Sequence, residues 1–135
     1  MDMASLQIAV AIVMHDGHVL VGQRDSFAEN AAGLHEFPGG KVEPGESPAA
    51  AAARETLEEA GIVVRVGAML DAATGSARSG PIDILFFEAV PLDPTALPRP
   101  PFAWVPIAGL ANLSFPQAND HVIRRVMAGR AHGGS

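Results

Sequence analysis

Residues 48–60 read Pro-Ala-Ala-Ala-Ala-Ala-Arg-Glu-Thr-Leu-Glu-Glu-Ala, a stretch with almost no choice but an α-helix. Five consecutive alanines give it strong helix propensity. Ser47 supplies a hydroxyl to cap free N–H groups, Pro48 tolerates the first helical position, and Gly61 provides the stop. At 3.6 residues per turn, Glu55, Glu58 and Glu59 stand at i, i+3 and i+4, within about 100° of one another around the axis. Three anions that close repel unless a cation sits among them. The apolar pattern predicts an inward face of Ala50, Ala53 and Leu57, small enough to let the helix lie close to a sheet.

Carboxylate oxygens are hard ligands that suit Mg²⁺, Mn²⁺ or Ca²⁺, and Mg²⁺ commonly keeps waters and shares substrate phosphates. A Glu-x-x-Glu-Glu helix alone is more often a solvated acidic face, but this one has a setting. Gly40, Glu46, Arg54, Glu55, Glu58, Glu59, Gly61 and Ile62 follow the spacing Gly, five residues, Glu, seven residues, Arg-Glu, apolar, any, Glu-Glu, any, Gly, apolar. The segment thereby resembles the Nudix box, with eight positions in register across 23 residues, a specific signal. Thr56 departs from it where the pattern usually has an aliphatic residue; its methyl can still turn inward.

The resemblance implies an α/β fold, an α/β/α sandwich with a mixed sheet between helices, in which the box forms a loop, helix and loop around a divalent metal. Mg²⁺ is the implied cofactor, with Mn²⁺ as a substitute. Carried over residue by residue, the ligands are Glu55, Glu58, Glu59 and the backbone carbonyl of Gly39. The implied reaction is hydrolysis of a nucleoside diphosphate linked to another group, by water attacking phosphorus. Glu55 or Glu59 takes the proton. Arg54 can pair with Glu58 at i, i+4 and orient it, and Glu46 braces the loop, with Arg54 as a candidate partner.

Further segments bear on the substrate. Leu6-Gln7-Ile8-Ala9-Val10, Glu36-Phe37-Pro38-Gly39-Gly40-Lys41 and Phe115-Pro116-Gln117-Ala118-Asn119-Asp120-His121-Val122-Ile123 resemble the MutT branch of that family, which cleaves oxidised guanine nucleotides. Asn119 matches the position that reads the base. Guanine presents acceptors at N7 and O6, whereas 8-oxoguanine carries a proton on N7. An amide held in one orientation accepts that proton and donates to O6. Arg24 matches a substrate-contacting arginine, and Phe37 is a candidate for the pocket wall. There are two departures: His35 stands where many relatives have Trp, and Pro100-Pro101-Phe102-Ala103 brings no carboxylate where some MutT-type enzymes have one.

The resulting expectation is an enzyme, a nucleoside triphosphate pyrophosphohydrolase that converts 8-oxo-dGTP to 8-oxo-dGMP and pyrophosphate. The alternatives are a sister hydrolase of pyrimidine triphosphates, ADP-ribose or dinucleoside polyphosphates, and a nucleotide-sensing module without turnover. Such a module would be expected to have lost a box glutamate, and all three are present.

Composition sets outer limits. A chain of 135 residues, 48% hydrophobic, suits one domain over 1–135, with 130–135 expected to be a disordered tail. A formal charge of -6 argues against a nucleic-acid polymer as partner, since binding one needs many Lys and Arg. The expected partner is a small nucleotide. No cysteine is present, which removes disulfide and thiolate chemistry and is compatible with a cytoplasmic setting. The apolar run Ile8 to Met14 is too short for a membrane span. A monomer is expected in preference to an oligomer.

The remaining order is read from local signals. Leu6 to Met14 and Val19 to Val21 read as strands about an Asp16-Gly17 turn, and 25–33 as a surface loop. Leu34 to Phe37 reads as a short strand stopped by Pro38-Gly39-Gly40. Ile62 to Leu70, Ile82 to Val90 and Phe102 to Ile107 read as further strands, with Thr74 to Gly80 as a turn and the proline-rich Pro91 to Pro101 as an extended loop. Ser114-Phe115-Pro116-Gln117 looks like a capping box opening a last helix, with Phe115, Ala118, Val122 and Val126 on its buried face.

Overall fold

The computed structural model describes residues 6–23 and 34–133, with side chains described as far as 129. The elements are β1 (Leu6–His15), β2 (His18–Gln23), β3 (His35–Glu36), β4 (Gly39–Lys41), α1 (Pro48–Ala60), β5 (Val64–Ala77), β6 (Gly80–Pro91), β7 (Phe102–Pro106) and α2 (Asp120–Gly133). Two 3₁₀ turns, Ile107–Asn112 and Gln117–Asn119, lead from β7 into α2.

β1 organises the molecule. Its apolar run is buried on both faces, and side chains alternate across a strand, so each face feeds a different core. Ala9, Ala11 and Val13 pack with Ala51, Ala52 and Ala60 of α1. Val10 and Ile12 pack with Phe37, Phe86, Leu110, Val122 and Val126 on the α2 side. Methyl-sized side chains therefore dominate one layer and bulky ones the other, and the sheet lies between the two helices.

β1 runs parallel to β6 from Leu6↔Ile82 to Val13↔Ala89 and antiparallel to β4 at Ile8↔Lys41, Ala9↔Gly40 and Val10↔Gly39. Its far end turns back into β2 through Asp16 and Gly17, both with positive φ, as a tight two-residue hairpin requires. β2 then pairs with β3 and β7. The sheet is mixed, as expected from the sequence.

Several local expectations are corrected. β5 and β6 form one long hairpin whose turn is only Arg78-Ser79, so Thr74–Ala77 belong to a strand; pairing with Asp83–Gly80 overrides their weak strand propensity. The capping box does not form. Ser114 uses its backbone carbonyl to accept from His35 N at 2.7 Å, no side chain caps the 3₁₀ turn at Gln117, and α2 starts at Asp120. The helical backbone of α2 is described as far as Gly133. The loop expected at 25–33 lies outside the described residues.

Candidate active site

The helix of the box is capped as its sequence dictates: Ser47 Oγ accepts from Ala50 N, and Gly61 takes a left-handed conformation at φ 70°. Its phase differs from the prediction. Ala51, Ala52, Thr56 and Ala60 are buried, whereas Ala50 is exposed, Ala53 is half-buried and Leu57 is 47% exposed. Five alanines carry too little size contrast to set a phase, and one leucine misleads. Thr56 fits inside because its hydroxyl donates to Ala52 O at 2.7 Å, which leaves no orphan donor.

This phase matters for the carboxylates. At about 100° per residue, Glu55 and Glu59 fall on the side of Ala52 and Thr56 and face the sheet, while Glu58 lies farther round. The Glu55 side chain is 18% exposed and that of Glu58 is 57%. β4 meets the inward pair. Gly39 N donates to Glu59 Oε1 at 3.0 Å, and the Glu55 carboxylate occupies the space that a Cβ at Gly40 would fill. Burial, together with the nearby charges of Glu55, Glu36 and Glu58, pushes the Glu59 carboxyl up to about 7, against the lowering effect of the Gly39 bond.

Arg54 ties this cluster to the preceding loop. Its Nε and Nη2 donate to Glu46 Oε2 at 2.8 Å and Oε1 at 3.0 Å; Nη1 reaches Glu55 Oε1 at 3.0 Å and Glu58 Oε2 at 3.3 Å. Nη2 also donates to the Lys41 carbonyl at 3.1 Å. Glu46, besides holding Arg54, accepts from Glu43 N at 3.1 Å and closes the loop. The Glu46 bond above all, opposed by burial and helped by Glu55, keeps Arg54 more firmly protonated than usual.

Two contributors escaped the sequence reading. Glu36 shares its strand with His35, and the alternation that sends Phe37 toward α2 turns Glu36 toward Glu59; a period-2 reading through Glu36-Phe37 could have found it. Arg99 comes from the proline-rich loop to donate from Nη1 to Glu58 O at 2.7 Å, a cation on the last turn of α1. No local signal marks it.

The donor set suits a hard divalent cation. Half-buried carboxylates crowd around a backbone that two glycines bring close, and burial in mutual repulsion is costly unless positive charge arrives. As they stand, however, no three acidic or imidazole groups among the described residues converge tightly enough to hold an ion, and Arg54 bonds both Glu55 and Glu58. Ligation by this set would require the Glu55 and Glu58 carboxylates to turn toward Glu59.

Immediately after β3, Phe37 is 6% exposed and stacks on Phe115 with ring centroids 4.8 Å apart. It belongs to the α2-side core. His35 lies 5.9 Å from Phe115, and its Nδ1 is the one buried side-chain polar atom without a partner among the described residues. Asn119 is half-buried; its Nδ2 and its backbone N both donate to Pro116 O, at 3.1 and 3.0 Å. Arg24 lies outside the described residues.

The NUDIX domain family matches residues 5–126. An 8-oxo-dGTP diphosphatase of Escherichia coli K12 is 32% identical over 126 residues, covering 92% of this chain and 98% of the relative. A CTP pyrophosphohydrolase of the same organism is 46% identical over 65 residues, covering 48% of this chain and 47% of the relative. The solution structure of the E. coli ORF135 protein superposes with a TM-score of 0.79 at 28% identity, covering 96% of this chain and 94% of that one. With the box in register and the sandwich around it, the chain belongs to the Nudix hydrolase family, among MutT-type relatives.

Proposed function

We propose that this chain hydrolyses 8-oxo-dGTP to 8-oxo-dGMP and pyrophosphate, clearing oxidised guanine from the nucleotide pool, and that residues 1–135 carry this activity as one domain. The observation that carries the substrate is the Asn119 amide. One Nδ2 hydrogen is spent on Pro116 O, which fixes the amide orientation. Oδ1 is left to accept the N7 proton of 8-oxoguanine, and the second Nδ2 hydrogen to donate to O6. Undamaged guanine would set an acceptor against Oδ1.

Glu55, Glu58 and Glu59, with the Gly39 backbone, would hold Mg²⁺, or Mn²⁺ in its place. Bound there, such an ion would supply charge neutralisation at the phosphates and a lowered pKa for a bound water. Arg54 orients Glu58 and Glu55, and Glu46 holds Arg54 in place. Glu55 and Glu59, the two carboxylates turned toward β4, are the groups able to take the proton of the attacking water. Phe37 supports the base pocket by backing Phe115, and Arg24 contacts the substrate as its match to the MutT branch implies.

A second reading, a pyrimidine triphosphate hydrolase, is favoured by the identity to the CTP pyrophosphohydrolase across half the chain. A panel of 8-oxo-dGTP, dGTP, CTP, dCTP, ADP-ribose and a dinucleoside tetraphosphate with Mg²⁺ separates the two. A clear preference for 8-oxo-dGTP over dGTP is expected; a preference for CTP would overturn the reading.

A further inference from the structure

β5 carries a carboxylate that the proposed chemistry does not use. Asp71 follows a register shift in the strand, its side chain is only 13% exposed, and His121 Nδ1 donates to its Oδ2 at 2.6 Å from the first turn of α2. Arg125, one turn farther along α2, adds positive charge toward the same carboxylate. This is a short, charge-assisted contact between elements 50 residues apart.

The contact lies next to Asn119. On one side Asn119 is tied to Pro116 O by two hydrogen bonds; on the other, two residues on, the chain is fastened to β5 through His121. Beside this fastening an open groove of about 550 Å³ separates Thr74 and Gly75 of β5 from Gln117, Asp120 and Arg124. Packing along that groove therefore does little to restrain the start of α2. Buried Val122 anchors the inner side of that first turn, and the Asp71–His121 contact fastens its outer side to β5.

We propose that Asp71 and His121 form a clamp that positions the Asn119 amide for base recognition. Both are positioning residues, and the proposal rests on the reading of Asn119 given above. Breaking the clamp frees the first turn of α2 to rotate into the groove and carries the amide out of register with the base edge, while the glutamates on the other face of the sheet are untouched.

The test compares wild type with His121→Ala, Asp71→Ala and His121→Asn, the last placing an amide nitrogen near the position of Nδ1. His121 is 61% exposed, so its replacement removes little packed surface. Expected are a rise of about fivefold to tenfold in KM for 8-oxo-dGTP in both alanine variants with kcat changed less than about twofold, and recovery in His121→Asn. In the free protein, the side-chain NH₂ resonances of Asn119 in ¹⁵N–¹H spectra should shift or broaden in the alanine variants and return in His121→Asn. Unchanged KM and unchanged Asn119 resonances in the alanine variants would overturn the clamp. A wild type with no preference for 8-oxo-dGTP would instead remove the base reading, and the Asn119 resonances alone would then decide whether the clamp holds that residue.

Discussion

Arg54 and Glu46 meet through two parallel hydrogen bonds, Nε to Oε2 at 2.8 Å and Nη2 to Oε1 at 3.0 Å, which leaves Nη1 free to engage Glu55 and Glu58. A single planar guanidinium thus ties the loop before α1 to two of its carboxylates. A lysine carries the charge but cannot reproduce the fork. Arg54→Lys is expected to lower kcat/KM about 10- to 100-fold with only a small loss of thermal stability. Steady-state kinetics beside thermal melts check this, and unaltered kinetics would reduce the fork to a surface pair.

The same pair predicts a pH dependence. The bond to Arg54, with that from the Glu43 backbone, holds the Glu46 carboxyl below its ordinary value, against a smaller effect of burial. The unfolded chain therefore takes up this proton at higher pH than the folded one. The contribution to stability is complete above the ordinary glutamate value of about 4.3 and is lost as pH falls through the lower folded value. Denaturant melts from about pH 6 to about pH 3 should show a shallower acid limb for Glu46→Gln than for wild type.

Divalent metal dependence follows from the carboxylate set. Chelation should abolish hydrolysis and Mg²⁺ restore it, and Mg²⁺ should raise the melting temperature because it binds the folded site. Glu58→Gln removes one proposed ligand from an exposed position, so turnover should fall about 100-fold or more with the melt of the metal-free protein nearly unchanged. Near-normal turnover would count against Glu58 as a ligand.

The two glycines of β4 should fail differently. A Cβ at Gly39 meets the Ala9 carbonyl oxygen at 2.5 Å and the Val10 Cα at 2.9 Å, both backbone and unable to move, so Gly39→Ala should cost about 1–3 kcal/mol of stability. At Gly40 the obstacle is the Glu55 carboxylate, the end of a flexible side chain. Gly40→Ala should spare the fold and cost activity. Equilibrium unfolding and kinetics on both variants separate these outcomes; equal effects on stability would show that Glu55 does not define the space at Gly40.

Asn119→Ala should erase discrimination and leave slow hydrolysis. On the proposed reading, the unmatched acceptor that would penalise dGTP is worth about 1–3 kcal/mol, so the ratio of kcat/KM values for 8-oxo-dGTP and dGTP should drop about 5- to 150-fold. If both substrates fell equally, Asn119 would be structural.

The sequence made some of this legible and hid the rest for physical reasons. The helix over 48–60 with its caps, the strand at β1 and the mixed sheet came from strong local signals: an alanine run, a β-branched run, Gly and Pro at their proper places. The phase of α1 did not, because burial there is decided by which methyl groups meet Ala9 and Ala11, not by the hydrophobicity of Leu57. The β5–β6 hairpin outruns its local propensity because sixty-odd residues of intervening topology make β6 a partner of β1, and β5 follows β6. Ser114 was misread since its backbone was claimed by His35. Glu36 was open to a period-2 reading through Glu36-Phe37, whereas Arg99 and the Asp71–His121 contact are long-range matches, and the spacing along the chain holds no trace of them.

The unequal cores on the two faces of β1 set different tolerances for change. Where Val10, Ile12, Phe86 and Val122 interlock, a lost or gained methylene can be shared among many neighbours. Where Ala9 and Ala11 face Ala51 and Ala52, the side chains act as a shim of fixed thickness between helix and sheet. One added methyl there would lift the carboxylate-bearing helix away from β4. Mutational drift should therefore detune the hydrolytic machinery first through these alanines, residues that touch neither metal nor nucleotide.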